Sequence, residues 1–451
     1  MKEFLNRLCF FTSILFILCA CKPYDSKESD KLATKPLPGN YTEQPSELET
    51  LKPGSGETLT QEEISCGEEE INQTEFTPGA MPDTADLLSQ PSPDFSLYTP
   101  YEPIKGAYIT SNIAGIADYF HPIVGIIEET ELNSVVIDIK RDDGHIAFKG
   151  IPAADELGLS NAYIRDIAGL LDLLHERDIY TIARIVVFRD NFLADVKPEF
   201  FARLTDGSIY RDKQTGQAWL DPYNRDYWEY VIAVAEGAAK AGFKEIQFDY
   251  IRFPTDANIK RAVFDNPENI SKIDIISEFS EYAVSRLKKL NVKVSADVYG
   301  ISIISGLDAE AIGQDYVKLS KIFDVICPMI YPSHYAGSTL GVTTPDLAPY
   351  DIIYRTMELS TKKLSEEKAN GEKVAIVRPW IQAFTASYLG KENVNWQRYK
   401  GKQLREQFDA LYDAGVSEWL IWNASNNYTE VLDGLLPENQ AEEVAQAGGL
   451  D

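Results

Sequence analysis

Apolar and polar positions follow a repeating rhythm between residues 104 and 424. Eight short apolar stretches recur there: GAYITS from Gly106, VVIDIKRDDG from Val135, YTIARIVVF from Tyr180, EIQFDYIRFP from Glu245, KVSADVYG from Lys293, VICPMIYP from Val325, VAIVRPWIQAF from Val374 and EWLIWNAS from Glu418. Helix-length segments separate them, and this alternation predicts a parallel sheet closed into a TIM-type (β/α)8 barrel. An open dinucleotide-binding sheet fits less well. The first strand runs into TSNIAG and offers no GxGxxG turn for a pyrophosphate.

The intervening segments carry their own periods. Ile164, Ile167, Leu170, Leu171 and Leu174 recur at three- and four-residue intervals and predict a helix over 161–177. Tyr230, Val231, Val234 and Ala238 mark another, ended by Gly242, and Phe279, Ala283 and Leu287 mark a third over 275–290. Further helices are expected over 349–364, over 403–412, and over part of 113–130, where His121-Pro122 is expected to interrupt the helix. In the long connection 189–219, Asp206-Gly207 and Thr215-Gly216 are turn signals for a small hairpin over the barrel mouth.

Several of these strands end in polar residues. A period of two places Gln247, Asp249, Ile251 and Phe253 on one face of strand four, and Ser295, Asp297 and Tyr299 on the matching face of strand five. Asp138 takes an inward position on strand two, where a polar side chain demands a partner or a function. Carboxylates on neighbouring strands approach closely enough for one to stay ionised while the other keeps its proton. Glycosidic cleavage needs that division of labour: an acid protonates the departing oxygen, and a carboxylate activates water or attacks the anomeric carbon. Asp249 is the candidate nucleophile or general base, with Asp297 or Asp138 as acid. Asp249 held by Arg184 or Arg252 purely to knit the barrel is the competing structural explanation. Tyr250, Tyr299, Tyr331, Trp380, Phe384 and Trp422 fall late in their strands, where flat rings stack on sugar faces or simply pack the barrel top. Arg184, Arg252, Tyr299, Tyr331, His334, Trp380 and Trp422 are the candidate substrate-binding residues.

The front of the chain is different in kind. A charged start, an apolar run from Leu8 to Ala20 and then Cys21 read as a secretion signal with a lipidation site at Cys21, although Cys19 stands where Ala, Ser or Val is more usual. Residues 22–99 read as an acidic flexible linker, with nine glutamates against one lysine between Tyr41 and Thr74. The barrel is expected over 100–435 and a terminal tail over 436–451. The expected address is therefore outside the cytoplasm, on a bacterial membrane or cell surface. A net charge of -27 argues against nucleic acid, and a neutral or cationic partner, such as a neutral polysaccharide, fits better. The four histidines, His121, His145, His175 and His334, show no metal-binding spacing, so no metal or cofactor is expected and a metal-dependent deacetylase is disfavoured.

Taken in order, KGAYITS at Lys105, VVIDIKRDDG at Val135, WLDPYNRDYWEYV at Trp219, EIQFDYIRFPTD at Glu245, VSADVYG at Val294, CPMIYPSHY at Cys327, RPWIQAF at Arg378 and WLIWNASNNY at Trp419 resemble the bacterial glycoside-hydrolase-like barrel family DUF4015. The resemblance runs from about Lys105 to Asn426. It implies a sugar-hydrolase barrel of α-amylase-like or related type, without a substrate or an assigned acid and base. Compared with better understood sugar hydrolases, the chain has Asp where many place a catalytic Glu, and it has no obvious acidic residue on strand seven. Two functions follow as expectations: hydrolysis of an extracellular or cell-envelope polysaccharide, and noncatalytic carbohydrate binding by an envelope lipoprotein.

Overall fold

The computed structural model describes residues 102–213, 215–256 and 258–436. The expected lipidation site at Cys21, the linker over 22–99 and the tail beyond residue 436 lie outside the described residues. Eight parallel staves close into a barrel: β1 (Lys105–Ile109), β2 (Ser134–Lys140), β3 (Tyr180–Val186), β4 (Glu245–Asp249), β5 (Lys293–Tyr299), β6 (Val325–Met329), β7 (Trp380–Gln382) and β8 (Trp419–Trp422). Closure is direct, with Ala107 of β1 opposite both Val135 of β2 and Ile421 of β8.

The helices α1 (Ala117–Glu129), α2 (Ile167–His175), α3 (Arg225–Ala241), α4 (Lys272–Leu287), α5 (Tyr316–Ile322), α6 (Pro349–Ala369) and α7 (Gly401–Asp413) wrap the outside. Their apolar stripes meet the outward face of the sheet. Phe279 of α4 packs edge-on against Phe248 of β4 and Phe188 beyond β3, with ring centres 5.9 and 5.1 Å away. Gly242 ends α3 in the left-handed region at φ 119°, which a residue with a Cβ rarely adopts.

Two expected helices differ from their sequence reading. His121-Pro122 does not interrupt α1, which runs through Pro122. Pro122 and Asp118, whose carbonyl loses its partner four residues on, both face solvent, where water takes the place of the missing bond. α2 starts at Ile167 instead of 161, because Asp166 caps it by accepting from the Gly169 N–H at 2.9 Å, while the Ile164 N–H is tied to the Ala147 carbonyl. The expected seventh strand is also divided, into Ile376–Val377 and Trp380–Gln382 on either side of Pro379, which has no N–H for a ladder. Over 189–221 the chain turns twice, at Gly207 and Gly216, both with positive φ, and Arg203–Leu204 pairs antiparallel with Ala262–Val263 above the barrel.

A register shift in β2 decides where the next two polar residues go. Asp138 pairs with Arg184 of β3, but Lys140 pairs with Ile185, so one residue is extra and the alternation breaks. Lys140 ends in a fully buried ion pair with Asp190, 2.8 Å away. Gly144, at φ 104°, lies so close to Asp190 that an added Cβ would meet its carboxylate oxygen at 1.8 Å. The two loops that follow β2 and β3 are thereby locked together beneath the mouth.

The other end of the barrel is closed by charge. Arg378, just before β7, donates to both oxygens of Glu245 at 2.9 and 3.0 Å and to Glu418 at 2.7 Å, and Tyr180 donates to Glu245 at 3.2 Å. All four residues lie at or before the first residue of their strands. Arg378 and Glu245 are completely buried, so removing the cation strands a carboxylate in the interior. Arg378→Met is expected to destabilise the barrel by about 3–5 kcal/mol, measured as a lower midpoint in urea unfolding; a change within experimental error would show that the cluster is dispensable.

Candidate active site

At the C-terminal ends of the strands, Arg184 of β3 stands between two carboxylates. Its Nη1 donates to Asp138 Oδ1 at 2.6 Å, and its Nε and Nη2 donate to Asp249 Oδ2 at 3.0 and 2.6 Å. The guanidinium is buried, a cost to its charge, but Asp138 and Asp249 outweigh that cost and raise its pKa well above the ordinary arginine value. Asp138 receives a second bond on Oδ2, from the Tyr108 hydroxyl at 2.5 Å. Burial is the largest influence on Asp138 and raises its pKa, helped by Asp142 and opposed by Arg184.

Asp249 is the last residue of β4, and its other oxygen, Oδ1, accepts the N–H of Tyr250 at 2.6 Å. Tyr250 has φ 55°, a left-handed conformation that is strained for a bulky residue. The strain turns the chain sharply off the sheet directly after the carboxylate. It also brings the Tyr250 hydroxyl to Nη1 of Arg189 at 2.5 Å.

Asp297 of β5 has a contrasting environment. β4 and β5 run in register through Phe248 and Ala296, which sets Asp249 and Asp297 side by side one step further on. No arginine forms an ion pair with Asp297 among the described residues; the Trp380 indole donates to its Oδ1 at 2.7 Å. Burial, then the Asp249 charge, hold its carboxyl well above the usual carboxylate range, against the smaller pull of Arg184 and Trp380. Asp138, Asp249 and Asp297 form the floor of the mouth, at 5, 6 and 1% exposure.

The aromatic candidates divide by position. Trp422 is half-buried at the end of β8, stacked on Tyr108 at 4.0 Å between ring centres and edge-on to Trp380 at 5.5 Å. The Arg184 guanidinium lies 5.5 Å from its ring centre. Trp380 itself is buried, and its role is to hold Asp297 rather than to present an open ring. Tyr331 is buried as well, packed against His334 and Phe384. His334 is only partly reached by solvent, and burial pushes its pKa down to about 4, so it is neutral at physiological pH. Tyr299 and Arg252 pair with each other through an Nη2 bond to the Tyr299 hydroxyl at 2.7 Å. Arg252 does not hold Asp249; Arg184 does.

Tyr108, Arg189 and Asp142 join the site without having been singled out as part of it. Tyr108 sits on the inward period of β1 one strand from Asp138, which was a readable signal. Asp142 reaches Arg184 at 3.7 Å and Arg189 at 3.8 Å from the turn at Asp142-Asp143-Gly144, which the sequence signals as a turn but not as part of the site. Among the described residues no group of three or more His, Cys, Asp or Glu is placed to hold a metal, Cys327 is buried and free, and no helix is long and apolar enough to cross a membrane.

Comparison with known proteins gives the fold and the family. The structure is similar to the PgaB (BpsB) glycoside hydrolase domain of Bordetella bronchiseptica, with TM-score 0.51 and 14% identity, covering 75% of this chain and 99% of that one. A hypothetical protein from Ruminiclostridium thermocellum is 38% identical, covering 43% of this chain and 97% of that one, with TM-score 0.39. No curated protein sequence matches the chain. The family model DUF4015 matches residues 106–428, and the chain belongs to that family, described as "Putative glycosyl hydrolase domain".

Proposed function

We propose that the barrel is a glycosidase that cleaves an extracellular or cell-envelope polysaccharide, with Asp297 as general acid and Asp249 as nucleophile or general base. The observation that carries this reading is the contrast between two neighbouring carboxyl groups: Asp249 is ion-paired with Arg184, while burial beside that charge favours a proton on Asp297. A carboxyl group that favours its proton beside one held by a cation is what acid-assisted cleavage requires. Asp138, engaged by both Tyr108 and Arg184, serves to fix the guanidinium. Trp422 and Tyr299, half-buried above the floor, provide faces for the sugar. The family's description and the hydrolase-domain fold support the same reading.

Noncatalytic carbohydrate binding is the second reading, and one observation favours it. Arg184 occupies Asp249 Oδ2 twice and the Tyr250 N–H occupies Oδ1, which restrains the carboxylate as a structural element would be restrained. On either reading we place the barrel outside the cytoplasm, tethered by lipid on Cys21.

Asp297→Asn and Asp249→Asn separate the two readings. Each is expected to lower turnover of a hydrolysed glycan by at least about a hundredfold while binding persists; unchanged turnover removes that residue from the chemistry. The anomer released first, followed by NMR, distinguishes retention from inversion.

The raised pKa of Asp297 also sets two pH dependences. Turnover is expected to fall as pH rises through that pKa, because the acid loses its proton. Stability follows the same direction: the folded chain holds the Asp297 proton over a range in which the unfolded chain, with a pKa of about 3.9, has lost it. That contribution is complete below the unfolded value and vanishes as pH climbs through the folded one. Asp297→Asn is uncharged throughout, so its melting temperature is expected to decline less than the parent's toward alkaline pH; parallel declines would reject the shift. For the tether, the full chain is expected to incorporate radiolabelled palmitate in a bacterial host and Cys21→Ala to incorporate none; equal labelling would refute the anchor.

A further inference from the structure

Three arginines, Arg184, Arg189 and Arg252, converge on the mouth, and Arg252 stands out by its partners. It is 6% exposed, and its Nη1 and Nη2 donate to the Phe253 carbonyl at 2.9 Å and the Tyr299 hydroxyl at 2.7 Å, both neutral oxygens. Among the described residues no carboxylate forms an ion pair with it. The acids on nearby loops are engaged elsewhere: Asp212 accepts from Thr215 and from the Trp219 indole, and Asp256 from Tyr210 and from the backbone of Lys213 and Asn258. Three rings surround the guanidinium instead, with its carbon 4.8 Å from the Trp219 ring centre, 5.1 Å from Tyr250 and 4.4 Å from Tyr299. Ring faces return part of the hydration lost by a buried cation, but they carry no net charge.

Position gives this cation, which no carboxylate meets at ion-pair distance among the described residues, a purpose. Arg252 lies three residues beyond Asp249 and Tyr299 two beyond Asp297, so the Arg252–Tyr299 bond spans β4 and β5 directly after the two carboxyl groups. We propose that Arg252 receives an anionic substituent of the substrate, a ring carboxylate or a sulfate ester, and that the polysaccharide cleaved is therefore acidic. A planar guanidinium suits either group, because its N–H donors are spaced for two-point contact with oxyanions. This inference rests on the glycosidase reading and departs from the neutral polymer suggested by the net charge of -27. Nine glutamates against one lysine between Tyr41 and Thr74 supply eight of those negative charges, and salt screens surface charge over about 8 Å.

The test is calorimetric binding to the full chain carrying Asp297→Asn, which prevents turnover. The probes are oligosaccharides of polygalacturonate, alginate, hyaluronan and chondroitin sulfate, each beside its carboxyl-reduced or desulfated form. At least one acidic probe is expected to bind about ten- to a hundredfold more tightly than its neutralised form, and the pairs distinguish carboxylate from sulfate. Adding Arg252→Gln is expected to abolish that preference, so that the acidic form binds no more tightly than its neutralised counterpart. If melting shows Arg252→Gln to be unfolded, Arg252→Lys decides: it keeps the charge without the fork and is expected to lose at least about half of the preference in logarithmic terms. An acid preference that survives the Arg252 substitution, or equal binding of both forms, overturns the anion receptor and leaves the hydrolase reading standing. Absence of binding to every probe overturns the receptor, and absence of turnover on a wider glycan panel then removes the hydrolase as well.

Discussion

Arg184 brings a positive charge into the interior of the barrel, and the organisation of the mouth follows from how that charge is balanced. Asp138 from the preceding strand and Asp249 from the following one supply the balance, each within 2.6 Å of a guanidinium nitrogen. Removing Arg184 would leave two carboxylates without their cation in a region of low polarisability, so the guanidinium is the member on which the trio depends. Three strands are held at one height by it, and that height is the level of the candidate chemistry.

The same arrangement distinguishes Asp297. Arg184 is already shared between two carboxylates, and the neighbouring Asp249 charge repels a second negative charge beside it. Asp297 therefore lies close enough to the cation to feel it and too far from it to be ion-paired. An indole N–H, which donates a bond without adding a charge, completes its surroundings. The opposite end of the barrel repeats the arrangement, one arginine between Glu245 and Glu418, and there the result is a plug.

Much of this was legible in the chain. A period of two was enough to put Asp138, Asp249 and Asp297 on inward faces, and alternation of strand-like and helix-like segments was enough for the barrel. What escaped depended on events that pattern does not encode. The extra residue in β2 turns Lys140 away from the interior and toward Asp190, against the alternation that placed Asp138 correctly. Arg184 and Arg252 are equivalent as residue types, and only the folded arrangement pairs one with carboxylates and sets the other among rings. Trp380 and Trp422 occupy similar late strand positions, yet one is a buried donor and the other a half-buried face, because exposure depends on the loops above them.

Pro379 interrupts the seventh stave immediately before the residue that supports Asp297. Along β6 the sheet pairs Val325 with Ile376 and Ile326 with Val377, and then Met329 with Trp380, so the lacing skips across the proline. A seam stitched in two short lengths opens more readily than one stitched continuously, since fewer bonds must break together. Breathing at this seam would carry the Trp380 indole away from Asp297, which ties the proton affinity of a single carboxyl group to the integrity of the barrel wall.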